Sequence, residues 1–255
     1  MKRHQVAAQL YTCRDLLKTP SDIKECLKRV RAAGYEAVQI SGMGPIAEEE
    51  LNLILDGEGL VCCATHEDGN RIRKEPHLVV ERLQKLRCSL TAYPYPAGVD
   101  MASLESLKSL TDDLNAAGEI MAAAGITLTY HNHGIEFVQT DGLTALERIY
   151  RDTQPEFLQG EPDTYWIHYG GGDNVDWCRR LKNRLPMMHL KDYYFTIQNA
   201  PSFCEVGSGT LPFKEIIAAA EASGCQWFIV EQDVTPGDPV DSLAKSFRYI
   251  SEHLL

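Results

Sequence analysis

The chain has 255 residues, 44% hydrophobic and 24% charged, an ordinary composition for one globular domain that buries a full core. Its formal net charge of −11 disfavours a polyanionic partner such as duplex DNA. No apolar run approaches the ~20 residues of a membrane span, and the basic amino end turns polar at once, unlike a signal peptide. The eight cysteines are scattered without a CxxC pair, which favours reduced thiols and predicts a cytoplasmic protein.

Short apolar runs alternate with amphipathic helical patterns along the whole chain. The first helix has a clear start at Thr19 and Pro20 and a clear stop at Gly34. The predicted strands are 5–9, 37–40, 60–65, 88–92, 126–129, 157–161, 187–190 and 227–230. The further predicted helices are 47–58, 75–87, 103–124, 143–151, 175–182, 212–223 and 240–253.

Eight strand–helix units without a break in composition predict an α/β fold, a single (β/α)₈ TIM barrel that covers residues 1–255 as one domain. An open, doubly wound sheet is the structural alternative. It requires a glycine-rich turn after the first strand, and the segment LYTC at 10–13 is not one.

The segment 127–137, TLTYHNHGIEF, changes from a β-branched strand to polar groups within one residue. His131, Asn132, His133 and Glu136 then follow within six positions. Such a change is typical of the carboxyl end of a barrel strand, where α/β enzymes keep their chemistry. A surface loop that happens to hold two histidines is the simpler interpretation of these residues taken alone.

Ionisable side chains follow the later predicted strands as well. Because the ends of parallel strands gather on one face of a barrel, we expect Glu136, Asp163, His189 and Glu231 to converge. Three carboxylates and one imidazole suit a divalent cation such as Mn²⁺, Mg²⁺ or Co²⁺, with Zn²⁺ as a further candidate. The absence of a thiolate argues against a structural zinc site. Simpler interpretations are a helix cap for Asp163 and a core histidine for His189, and Asp233 is interpreted as a solvated loop charge.

Five segments resemble the sugar phosphate isomerase/epimerase superfamily, the xylose isomerase-like TIM barrels, in the branch with a YHNHxxEF motif. In chain order they are YHNHGIEF at 130–137, DTYW at 163–166, HLKD at 189–192, EVGSG at 205–209 and VEQD at 230–233. The resemblance implies a metal held by Glu136, Asp163, His189 and Glu231. Many relatives have the first ligand at the strand tip, where this chain has His131; the branch is interpreted as using the later Glu136.

The resemblance implies proton abstraction next to a carbonyl, through an enediolate that a metal stabilises. The base is expected to be His133 or Glu231, and Lys191 is expected to neutralise the enediolate or to bind a substrate oxygen. The catalytic residues are therefore predicted as His133, Glu231, Glu136 and Lys191.

The predicted partner is a small sugar or keto-sugar, with no nucleic acid and no membrane, and dimers among relatives suggest a homodimer. The predicted substrate-binding side chains are His131, His66, Asn132, Trp166 and Tyr11. The backbone N–H groups of 207–209 could hold a phosphate. No arginine is near them in the sequence, which favours a substrate without phosphate.

Three functions compete. The first is a metal-dependent sugar isomerase or epimerase, and the second is a lyase or dehydratase that acts on an inosose or a 3-keto-sugar glycoside with the same metal and base. The third is a DNA-repair enzyme, since the same barrel serves abasic-site endonucleases. Those enzymes need additional histidines at two strand ends where this chain has Tyr93 and Trp166, and the acidic charge also opposes DNA.

Overall fold

Eight parallel strands form the centre of the computed structural model, which describes residues 1–255. The strands are β1 (Val6–Gln9), β2 (Ala37–Ile40), β3 (Val61–His66), β4 (Leu90–Tyr93), β5 (Thr127–His131), β6 (Gln159–Glu161), β7 (Met187–Leu190) and β8 (Trp227–Val230). All eight predicted strands are present, each within a few residues of its expected bounds.

Ten helices surround the strands. They are α1 (Pro20–Ala32), α2 (Glu48–Glu58), α3 (Gly69–Lys74), α4 (Pro76–Lys85), α5 (Leu104–Ala123), α6 (Ala145–Arg151), α7 (Thr164–Tyr169), α8 (Asn174–Arg180), α9 (Phe213–Ala222) and α10 (Pro239–His253). The predicted start of α1 is confirmed, because Thr19 and Asp22 form a capping box and Pro20 stands in the first turn. Gly34 has φ +113°, and a Cβ there would lie 2.5 Å from the ring of Phe247.

The strands pair in the order β6-β5-β4-β3-β2-β1-β8-β7, and all pairs are parallel. The ring closes between β6 and β7 just beyond the end of β6. There Asp163 forms a parallel bridge with His189, whose N–H donates to the carbonyl of Pro162 at 2.9 Å. The prediction of a single (β/α)₈ barrel is confirmed.

Strand alternation places the polar side chains of the site inside the ring. Val6, Val38 and Phe228 face outward into a core of 58 buried residues shared with the helices. A second cluster of eight buried residues faces the interior of the barrel, because its members alternate along the strands with residues of the outer core. Its members are Ala7, Ala37, Cys63, Ala64, Leu90, Ala92, Met187 and Ile229. Gln9, Gln39, His189 and Glu231 follow four of these residues by two positions and therefore form the layer above them.

Several segments differ from the predicted pattern. The expected helix at 75–87 is shorter and follows a separate helix, α3, because Pro76 lacks the N–H that would continue that helix across Glu75. A hairpin of Asp192–Phe195 and Pro201–Cys204 extends from the end of β7. Helix α7, which is not among the predicted helices, begins directly after Asp163. No helix combines the length and apolarity that crossing a bilayer requires.

Candidate metal and substrate site

A cavity of about 480 Å³ opens at the carboxyl ends of the barrel strands. This is the end of the barrel where active sites of this fold are found. The lining residues come from the carboxyl ends of β3 and β5 and from the loops after β1, β2, β4, β5, β7 and β8. They are Tyr11, Arg14, Ser41, His66, Pro94, Tyr95, His131, His133, Lys191, Glu231, Asp233 and Val234.

Two overlapping groups of side chains at the bottom of this cavity could hold a metal ion. The Asp163 cluster consists of His131, Asp163, His189 and Glu231, and the Glu161 cluster consists of His66, His131, Glu161 and His189. Within each cluster one ligand atom per residue lies within 4.8 Å of all the others. The first cluster contains three of the four ligands predicted from the sequence, with His131 in the place of Glu136.

Asp163 presents one carboxylate oxygen to the site and uses the other to cap a helix. Its Oδ1 accepts from the backbone N–H of Trp166 at 3.0 Å at the start of α7. Its Oδ2 is buried without a hydrogen-bond partner, as is Nδ1 of His131. Unpartnered buried atoms of this kind are costly, and a cation between them would satisfy both. The donor set therefore fits a divalent cation with oxygen and nitrogen ligands.

Strong electrostatic coupling joins His189 to the carboxylates around it. Burial alone would lower the pKa of His189, but the charges of Glu161 and Glu231 raise it to about 10. Nδ1 of His189 lies 3.0 Å from Oε2 of Glu231 and 3.8 Å from Oδ2 of Asp163. Burial raises the pKa of Asp163 to about 7. A divalent cation would compete with the proton of His189 for these same atoms.

The ammonium group of Lys191 sits among three carboxylates although the side chain is almost completely buried. Its Nζ lies 2.8 Å from Asp233, 3.0 Å from Glu231 and 3.6 Å from Asp163. Burial would lower the pKa of Lys191, but these carboxylates raise it well above its usual value. Burial would raise the pKa of Glu231, yet Lys191 and His189 hold it well below the usual range. Both groups therefore stay charged in the cavity.

Glu136 does not join either cluster, which corrects the expectation that its carboxylate would converge with the other three. Its Oε1 accepts from the hydroxyl of Tyr130 at 2.9 Å, and its Oε2 accepts from the backbone N–H of His133 at 2.8 Å. The carboxylate thus holds the turn after β5. His131, at the tip of β5, takes the place among the four candidate ligands that was expected of Glu136.

The replacement Glu136→Gln should separate a supporting role from a ligand role. Burial raises the pKa of Glu136 from 4.5 to about 7, so its contribution to stability is fully present below 4.5 and is lost as the pH rises through 7. At roughly 1.36 kcal/mol per pKa unit, this change amounts to about 3 kcal/mol. Urea unfolding at pH 5 and pH 8 should show the difference in unfolding free energy moving in favour of the variant at the higher pH. Metal affinity should be unchanged; its loss would identify Glu136 as a ligand.

Of the residues predicted to bind substrate, Tyr11, His66 and His131 line the cavity. Asn132 is fully buried, and its Oδ1 accepts from the backbone N–H of Asp163 at 3.2 Å. It therefore supports the segment after β6 that carries Asp163. The ring of Trp166 lies 5.3 Å from that of His133, behind the cavity lining.

His133 faces the cavity with a neutral imidazole. Burial and the charge of Lys191 lower the pKa of His133 to about 3, and its Nδ1 has no hydrogen-bond partner. It can therefore accept a hydrogen bond from a molecule in the cavity. Burial and the charge of His189 likewise hold the pKa of His131 well below its usual value.

The glycine segment 207–209 is not available for a phosphate. The N–H groups of Gly207 and Gly209 both donate to Oδ2 of the buried Asp192, at 3.0 and 2.9 Å. This contact could not be predicted from the sequence, because a carboxylate that follows a strand has the same appearance whether it faces a ligand or a neighbouring loop.

Two cavity residues were not recognised from the sequence. Asp233 bonds to Lys191 and lines the cavity, contrary to its interpretation as a solvated loop charge. Arg14 donates to the carbonyls of Tyr11 and Asp233 at 3.0 and 2.9 Å, which ties the loop after β1 to the loop after β8. Its position next to the first strand end was the available signal.

Three buried side chains beneath the cavity were not assigned a role from the sequence. Gln9, Gln39 and Glu161 are fully buried, and the amide of Gln39 connects Glu161 to His189. Burial would raise the pKa of Glu161, but His189 and His66 hold it below its usual value. A glutamine between apolar residues in each of two strands was the signal available for Gln9 and Gln39.

A family model described as a xylose isomerase-like TIM barrel matches residues 19–253. An inosose dehydratase of Geobacillus thermodenitrificans is 29% identical over 160 residues, 56% of this chain and 53% of that protein, so the chain spans about half the length of this relative. An inosose dehydratase of Lactiplantibacillus plantarum is 25% identical over an alignment 272 positions long, gaps included, which covers 92% of this chain and 90% of that protein.

The fold also matches a crystal structure of a sugar phosphate isomerase/epimerase from Parabacteroides distasonis. The TM-score is 0.82 at 22% identity, over 100% of this chain and 96% of that chain. The family model spans nearly the whole chain, and the barrel agrees with its description. The chain therefore belongs to the xylose isomerase-like TIM barrel family.

Proposed function

We propose that the protein is a divalent-metal-dependent dehydratase that removes a proton next to the ketone of an inosose-like sugar and eliminates a hydroxyl group as water. The observation that carries this proposal is the Asp163 cluster, in which two unpartnered ligand atoms lie beside carboxylates at the bottom of a cavity. The names of the two relatives favour dehydration. Removal of the carbon-bound proton would be common to this reaction and to isomerisation.

His131, Asp163, His189 and Glu231 would hold the cation, and this set of two imidazoles and two carboxylates suits Mn²⁺ or Co²⁺, with Mg²⁺ and Zn²⁺ as further candidates. When bound, such a cation supplies Lewis-acid stabilisation of negative charge on the carbonyl oxygen. The absence of cysteine ligands supports a catalytic role over a structural one.

Lys191 and His133 would act on the substrate from two sides of the cavity. The ammonium group of Lys191 would add positive charge near the carbonyl oxygen, where preorganised charge lowers the barrier most. The imidazole of His133 would accept the proton from carbon and return it to the departing hydroxyl. The carbon–hydrogen pair then forms the new double bond, the carbon–oxygen bond breaks, and water leaves with the transferred proton.

Isomerisation or epimerisation is the second candidate. It is favoured by two side chains that could accept a proton and that line the same cavity, His133 after β5 and Glu231 after β8. Such a pair could remove a proton on one face and return it elsewhere. The same site would then act on a ketose without loss of water.

Metal removal and solvent deuterium exchange test the proposal together. Protein treated with EDTA should not exchange the acidic C–H of an inosose, and added Mg²⁺, Mn²⁺ or Co²⁺ should restore exchange. Mass spectrometry of inososes, 3-keto-sugars and ketoses should show exchange accompanied by loss of water from the inosose. Exchange with isomer formation and no loss of water would favour the second candidate. No exchange across the panel with metal bound would contradict both.

A further inference from the structure

Beneath the cavity, four fully buried side chains form one hydrogen-bonded chain across the barrel interior. Nε2 of Gln9 donates to Oε1 of Gln39 at 2.6 Å, and Nε2 of Gln39 donates to Oε1 of Glu161 at 2.6 Å. Oε1 of Gln39 also lies 2.7 Å from Nε2 of His189. These hydrogen bonds therefore join β1, β2 and β6 to His189, which belongs to both clusters.

The direction of every bond in this chain is fixed from its two ends. At one end, Oε1 of Gln9 accepts from the backbone N–H of Tyr11 at 3.1 Å, so its amide nitrogen must face Gln39. At the other end, the carboxylate of Glu161 can only accept, so the amide nitrogen of Gln39 must face it. The oxygen of Gln39 then faces His189, and Nε2 of His189 must carry a hydrogen.

This hydrogen determines which of the two clusters His189 can serve. With Nε2 donating to Gln39, only Nδ1 of His189 has a lone pair for a cation. Nδ1 faces Glu231 and Asp163, the members of the Asp163 cluster. Glu161 is meanwhile occupied by Gln39 and by Nε2 of His66, at 2.6 and 2.8 Å. The carboxylate of Glu161 is thus satisfied by hydrogen bonds.

We propose that Gln39 is a positioning residue that, held between Gln9 and Glu161, keeps the hydrogen of His189 on Nε2 and reserves Nδ1 for the cation of the Asp163 cluster. This inference rests on the proposed metal dependence. It assigns Glu161 to the support of the site and leaves the four ligands as His131, Asp163, His189 and Glu231. Partners that orient a ligand histidine in this way commonly contribute 10–100-fold to metal affinity.

Calorimetric titration with Mn²⁺ tests the role of Gln39 without an activity assay. Gln39→Met keeps the length of the side chain but removes its three hydrogen bonds, and the Kd for Mn²⁺ should rise about 10–100-fold. Gln9→Met provides a graded comparison: it removes one of the contacts that hold Gln39 but leaves those to Glu161 and His189, so its Kd should rise less than that of Gln39→Met. Thermal melts without metal show whether each variant folds.

A reciprocal exchange of the amide and the carboxylate provides a rescue. Gln39→Glu alone places two carboxylates against each other and should weaken Mn²⁺ binding at least as much as Gln39→Met does. Combined with Glu161→Gln, it restores the hydrogen-bond directions, because the new amide donates to the new carboxylate, which still accepts from His189. The double variant should recover most of the affinity. Glu161→Gln alone should bind Mn²⁺ while Asp163→Asn should not.

Nitrogen NMR of the Mg²⁺-loaded protein reads the hydrogen position directly. In the wild type, His189 should show a protonated Nε2, and this signal should be lost or broadened in Gln39→Met. A hydrogen on Nδ1, unchanged Mn²⁺ affinity in Gln39→Met, or loss of binding in Glu161→Gln would overturn the inference while the metal proposal stands. Failure of the folded wild type to bind Mn²⁺ would instead overturn the proposed function.

Discussion

Replacing Glu231 by glutamine should abolish metal-dependent turnover and leave the barrel folded. Oε2 of Glu231 lies 3.0 Å from both Nδ1 of His189 and Nζ of Lys191, so its charge is at the centre of the site. Glutamine has nearly the same shape but no charge, and its amide nitrogen would face a cation. We expect turnover to fall about 10³-fold or more, as when preorganised charge is removed from a catalytic site.

The fold should survive the loss of Glu231, because Lys191 keeps Asp233 as a partner at 2.8 Å. Glu67 provides a matched control: it is equally buried, at 5% exposure, and follows β3, but it pairs with Arg82 away from the metal cluster. Glu67→Gln should lose stability but keep metal and turnover. Metal analysis, circular dichroism and turnover should be measured on both variants, and a fully active Glu231→Gln protein would contradict the site assignment.

The barrel could be predicted because its information is local. Each strand is a short apolar run, each helix has its own periodicity, and their alternation leaves few architectures open. The caps at Thr19 and Gly34 involve near neighbours and were visible in the sequence. Helix α7 was less visible, because its start depends on how Asp163 divides its two oxygens between a backbone N–H and the cavity.

The candidate metal cluster was predicted only in part, for a different physical reason. Asp163, His189 and Glu231 lie at or close to the carboxyl ends of their strands, so topology alone brings them together. His131 and Glu136 are both near the end of β5, and the choice between them depends on Tyr130, whose hydroxyl holds the glutamate. Hydrogen bonds of this kind depend on three-dimensional packing that a strand pattern does not specify.

The network under the site was beyond sequence reasoning altogether. Gln39 bonds to Glu161 and His189, which lie 122 and 150 positions further along the chain. Nothing in the local sequence identifies such partners. A glutamine inside an apolar strand does indicate that a buried polar partner exists, because an unsatisfied amide would be costly there. That rule would have singled out Gln9 and Gln39 without naming what they contact.

Lys191→Met should give the second large effect, on catalysis and on the stability of the metal-free protein. Loss of the ammonium group removes positive charge next to the reacting oxygen, and kcat/KM should fall about 10²–10³-fold. It also leaves three carboxylates without their shared cation, at a cost of roughly 3–5 kcal/mol in unfolding free energy.

Metal binding should restore much of the stability that Lys191→Met loses, and little of its lost kcat/KM. A dication that binds the native state adds to its stability by mass action, so Mn²⁺ should raise the Tm of this variant more than that of the wild type. Turnover should stay low, because the added cation does not replace the ammonium group at its own position. Lys245→Met, which removes an exposed lysine paired with Glu205, should change stability by less than about 1 kcal/mol and leave turnover unchanged. Wild-type kcat/KM in Lys191→Met would show that the buried ammonium group serves the architecture of the carboxylates alone.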